Sequence, residues 1–63
     1  DITNMEYKVV QLAIRHLQPK EIASKLNIMP STVYRHLENL RNKFSVLSTE
    51  ELIGLLRKNF LHL

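Results

Sequence analysis

The sequence predicts an all-α domain of four helices, and two observations carry that prediction. Apolar residues recur at helical spacing in four separate blocks, with no strand-like alternation anywhere. Local start and stop signals separate the blocks: Thr3-x-x-Glu6, Pro19, Asn27, Pro30 and Ser48-x-x-Glu51.

Thr3 and Glu6 have capping-box spacing, with Ile2 and Tyr7 placed to close a hydrophobic staple around it. Met5, Val9, Leu12 and Ala13 then share one face, which predicts a first helix over about 4–16. Pro19 suits a first helical position, where its missing N–H would have no partner. Ile22, Ala23 and Leu26 form an apolar face, predicting a second helix over 19–26, and Asn27 is suited to a left-handed helix end. Ile28-Met29-Pro30 makes a tight turn into a third helix over 30–44, on which Val33, Leu37, Leu40 and Phe44 form one stripe. On the opposite side project Ser31, Arg35, Glu38 and Asn42, flanked by Tyr34 and Asn39, with no aliphatic residue among them. Ser48 and Glu51 form a second capping box, with Leu47 and Leu52 as its staple. Leu52, Leu55 and Leu56 face the core, and Asn59 ends a fourth helix over about 49–58.

The length of 63 residues suits one domain, spanning 1–63. No apolar run is long enough to span a bilayer, and no signal-peptide pattern stands in these residues. The absence of cysteine removes disulfides and Cys-based metal sites and fits a reducing compartment. His16, His36 and His62 are far apart, and His36 is expected to bond a neighbouring helix rather than a metal. No Ser/His/Asp set, glycine-rich phosphate loop or paired carboxylates stand in a cleft-like context, so neither catalysis nor a cofactor is expected. Nine Lys and Arg oppose six Asp and Glu. Residues 19–44 hold five basic residues (Lys20, Lys25, Arg35, Arg41, Lys43) and two acidic ones (Glu21, Glu38), so the whole excess of three sits there. That favours a polyanionic partner.

Two helices joined by a three- or four-residue turn, the second with a polar outer face, read as a helix-turn-helix. Ala23 allows a close crossing, and Ile28 plugs the gap. Lys20-Glu21-Ile22-Ala23, Leu26, Ile28, Thr32-Val33, His36, Asn39-Leu40, Lys43-Phe44, Val46 and Ser48 resemble the LuxR-type (GerE-like) DNA-binding domain of bacterial transcription regulators. Thr3, Glu6 and Val9 extend the resemblance over nearly the whole chain. It implies a third helix in the major groove, a fourth that often mediates dimerisation, and a cytoplasmic regulator of which this chain, opening at Asp1, is the C-terminal part. Three positions depart from the pattern. His16 replaces a Gly, so that turn is expected to differ, Tyr34 replaces a Lys, and Thr49 replaces an Arg.

The expected DNA base readers are Ser31, Tyr34, Arg35, Glu38 and Asn42. Arg35 can bond guanine bidentately, or be a solvated surface arginine. Glu38 can accept from cytosine N4, repel phosphate, or pair with Arg35, Arg41 or Asn42. Tyr34 can touch a thymine methyl and a phosphate, or pack half-buried on the second helix. The resemblance assigns Lys20, Thr32, Lys43 and Ser48 to the phosphates, though Ser48 also serves as an N-cap. Ile53, Leu56 and Phe60 form a second stripe, read as a homodimer surface or as extra core, and Gly54 would permit close helix approach. The expected partners are double-stranded DNA, a second copy of the chain, and RNA polymerase, with no membrane. The rival reading is a protein-interaction module that keeps the fold without reading DNA.

Overall fold

The computed structural model describes residues 1–60 and the side chains of 1–59. Its helices are α1 (Asn4–Ala13), α2 (Pro19–Leu26), α3 (Pro30–Lys43) and α4 (Thr49–Phe60), with no strand among the described residues. The Thr3 box forms in full. Thr3 N–H donates to Glu6 Oε1 at 3.0 Å, and Glu6 N–H donates to Thr3 Oγ1 at 3.1 Å. Before α2, Glu21 Oε1 accepts from Gln18 N–H at 2.7 Å, a cap the sequence reading did not include.

Helices α1, α2 and α3 all end in the same motif. His16, Asn27 and Ser45 are left-handed, with φ of 67°, 59° and 57°. In each case the next residue's N–H reaches five residues back: Leu17 to Leu12 O, Ile28 to Ala23 O, Val46 to Arg41 O. The left-handed residue itself bonds three back. This double bond satisfies carbonyls that a helix end would otherwise leave bare, and an apolar residue after it packs inward. Leu17, Ile28 and Val46 all pack against the core.

That motif corrects two expectations. Helix α1 stops at Ala13 rather than 16, because Arg15 and His16 already turn back with shorter-range bonds to Leu12 O and Ala13 O. The Leu47–Leu52 staple does not form, and Leu47 is 94% exposed. Val46 takes the inward position, and in extended chain its successor points outward. Half of the cap survives, with Glu51 N–H donating to Ser48 Oγ at 3.1 Å. Glu51 Oε1 accepts instead from Leu47 N–H at 3.2 Å. Asn59 does not end α4, which continues to Phe60 with Asn59 Nδ2 donating to Leu55 O at 2.8 Å.

The core is Val9, Val10, Ala13 and Ile14 of α1 and its end, Ile22 and Ala23 of α2, Val33, Leu37 and Leu40 of α3, and Leu52 and Leu56 of α4. Burying each Leu, Ile or Val stabilises by about 1.5–3 kcal/mol. On α1 the buried face is Glu6, Val9, Val10 and Ala13, turned from the expected one, and Met5 and Leu12 are half-buried. Glu6 is 3% exposed.

Three cations tie the helices together. Lys43 Nζ donates to Glu6 Oε1 at 2.6 Å and to Asp1 O at 2.7 Å, joining the end of α3 to the start of α1. Arg41 Nη1 donates to Thr49 Oγ1 at 2.9 Å, joining α3 to α4. Arg57 Nη2 donates to Ile14 O at 2.8 Å and lies 2.6 Å from His16 Nε2, joining α4 to the end of α1.

Candidate nucleic-acid interface

Helix α3 sorts its residues by face. Val33, Leu37 and Leu40 are buried, while Ser31, Tyr34, Arg35, Glu38, Asn39 and Asn42 are all exposed. The five expected base readers therefore share one outward surface. Pro30 at the first position has no N–H, no acidic residue occupies the first turn, and the Met29 side chain makes no capping bond. The helix N-terminus thus presents its partial positive charge uncompensated by a side chain. Tyr34 is 59% exposed, which removes the half-buried alternative for its ring, and Met29, in the turn before α3, is 67% exposed. The sequence reading did not single out Met29; its signal was an apolar side chain in a turn whose inward place Ile28 already fills.

Among the described residues the sole ion pair is Lys43–Glu6. Glu38 therefore has no ion-pair partner in Arg35 or Arg41, and Arg35 and Lys20 are exposed with no bond to any other described residue. Thr32 is half-buried at the start of α3. Ser48 is half-buried and serves as the α4 N-cap.

Lys43 stands differently from its expected role. Two of its three donors are taken inside the chain, and it holds a buried carboxylate. Burial alone would raise the Glu6 pKa. The Lys43 hydrogen bond and charge, the Thr3 N–H and the field of His36 outweigh it, so Glu6 lies below its ordinary 4.5. Among the described residues His36 Nδ1 is buried without a partner, so the expected bond of His36 to a neighbouring helix does not form through it.

The expected dimer stripe is also divided. Leu56 is 1% exposed and belongs to the core, so it has no surface to offer a second copy. Ile53 is half-buried, and the Phe60 side chain lies outside the described residues. A methyl added at Gly54 would meet nothing within 4 Å among the described residues, so no packing among them requires glycine there.

No group of three or more His, Cys, Asp or Glu able to hold a metal occurs among the described residues. Nor is any described helix long and apolar enough to cross a membrane. A three-residue turn between α2 and α3 and an outward polar face on α3 define a helix-turn-helix domain. The chain belongs to the LuxR family: the profile described as GerE, bacterial regulatory proteins of the luxR family, matches residues 1–56. No curated protein and no solved structure matches the chain. Membership makes it a DNA-binding domain of transcription regulation, not an enzyme.

Proposed function

We propose that α3 lies in the major groove and reads a specific operator, as the output domain of a longer cytoplasmic regulator. The observation that carries this is the unbroken exposed face from Ser31 to Asn42, with the unpaired Arg35 at its centre. A guanidinium there reaches guanine O6 and N7 bidentately, and Glu38, free of internal ion pairs, accepts from cytosine N4. Ser31 and Asn42 extend the reading toward either end of the helix. The exposed Tyr34 ring suits a thymine methyl where the family pattern has a lysine.

Lys20 and Thr32 contact phosphates, the lysine by releasing counterions and the threonine at the anion-favouring start of α3. Lys43 acts mainly by fixing the end of α3 against Glu6. Ser48 shapes the start of α4 and stands near the phosphates only through that cap. Two copies joined through α4, around Ile53 and the bare Gly54 surface, place two α3 helices on half-sites about one helical turn apart. RNA polymerase is the partner on which such a bound dimer acts.

Selection of binding sites from random duplex tests this. An enriched sequence with two related half-sites is the expected result. Binding without enrichment would reject base reading, and no binding at low salt would favour the interaction-module reading.

A further inference from the structure

A second charged surface lies away from the α3 face. Lys8, Gln11 and Arg15 of α1 and its C-terminal turn, with Lys25 of α2, line a concavity of about 270 Å³ floored by Leu12 and Leu26. Lys8, Arg15 and Lys25 are exposed, the two leucines half-buried. None of the three cations has an ion pair or hydrogen bond among the described residues. No acidic residue lines the groove. Glu21, one turn before Lys25, is turned to the Gln18 N–H at 2.7 Å instead. Elsewhere in this domain Arg41, Lys43 and Arg57 are spent on internal ties, so three clustered and uncompensated cations are a distinct feature. A cluster of one charge sign favours an anionic partner from outside.

We propose that this groove docks an acidic segment of a partner protein, with carboxylates on either side of an aliphatic or aromatic side chain. The leucine floor takes the apolar group, and the three cations take the carboxylates. The groove's place in the fold favours a protein over the same DNA duplex. At 100° per residue, Lys20 and Lys25 stand about 140° apart on α2, on opposite flanks of the Ile22–Ala23–Leu26 stripe. The Lys25 flank faces α1, while Lys20 belongs to the other flank, so a duplex held through Lys20 and α3 leaves the groove open.

The test is an amide chemical-shift titration of the chain with a short synthetic helical peptide of Glu and Leu, free and with duplex bound. Saturable shifts at Lys8, Gln11, Leu12, Arg15, Lys25 and Leu26 are expected, with and without duplex. Lys25→Glu or Arg15→Glu should weaken peptide binding about fivefold or more. Lys58→Glu, at an exposed cation elsewhere, should change it less than about twofold, and Lys25→Glu should leave duplex binding within about threefold. Shifts confined to Lys20 and Arg35, equal losses in Lys58→Glu, or no saturable binding would overturn the proposal. So would inorganic phosphate moving the same amides as well as the peptide does, since a bare anion would then suffice. Failure of duplex binding alone would count against the α3 reading and leave the groove standing.

Discussion

The Lys43 ammonium sits 2.6 Å from the Glu6 carboxylate, so the last turn of α3 is pinned to the first turn of α1. The same Glu6 oxygen also accepts the Thr3 N–H, so one atom serves both a local cap and a contact 37 residues away. Removing the lysine strands a carboxylate that is 3% exposed. Lys43→Ala should therefore cost about 1–3 kcal/mol in urea unfolding, because a buried acceptor loses its charged partner. At a temperature where the variant stays folded, the salt slope of its DNA binding should match the parent's, whereas Lys20→Ala should flatten that slope by about one. A flattened slope in Lys43→Ala with unchanged stability would restore its phosphate role.

Acid should undo this tie. The Glu6 pKa is lowered in the folded state, so the unfolded chain binds the proton more readily. The stabilisation is complete above the ordinary value of 4.5 and is lost as pH falls through the lower folded-state value. Unfolding titrations from neutral pH downward should show a fall in stability that Glu6→Gln largely removes. An equal fall in both proteins would assign the acid sensitivity elsewhere.

Ser45 holds φ at 57° without glycine. A left-handed residue costs roughly 1–2 kcal/mol, partly offset by glycine's greater unfolded freedom. Ser45→Gly should raise stability by up to about 1 kcal/mol. His16→Gly relieves the same strain but removes the Arg57 contact at 2.6 Å, so its gain should be smaller. Thermal unfolding of the two variants orders them.

These two ends mark where sequence reading stopped. The Thr3–Glu6 cap was legible because a Thr acceptor stands three residues before a Glu, whereas Gln18, not a usual N-cap residue, hid the equally spaced Gln18–Glu21 bond. Asn27 was legible because its side chain favours the left-handed region. Ser45 carries no such preference. His16 stands where the family pattern has Gly and takes the left-handed conformation a Gly would, so its turn keeps that form. The signal both ends share is the inward apolar residue after each, Leu17 and Val46. The α1 face was misplaced because a carboxylate sits among its buried residues, and its reason for being there, Lys43, comes from another helix. The outward face of α3 was legible from periodicity alone. The commitments of Arg41, Lys43 and Arg57 were not, since each depends on what the fold brings opposite, whereas Leu56 was placed both in the core and in the dimer stripe and the fold keeps it in the core.

Tyr34 should make the protein sensitive to a single methyl group. Replacing the contacted thymine by deoxyuridine removes about 0.8 kcal/mol of apolar burial, roughly fourfold in affinity. Tyr34→Ala should bind the two duplexes equally. Parent protein indifferent to deoxyuridine at every operator position would remove thymine reading from Tyr34.

The most direct measurement compares the parent with Arg35→Ala across every single-base variant of the selected operator. Base reading by α3 predicts that discrimination falls by about 1–3 kcal/mol at one guanine of each half-site and stays intact elsewhere. An unaltered specificity profile, or a uniform loss at all positions, would contradict it.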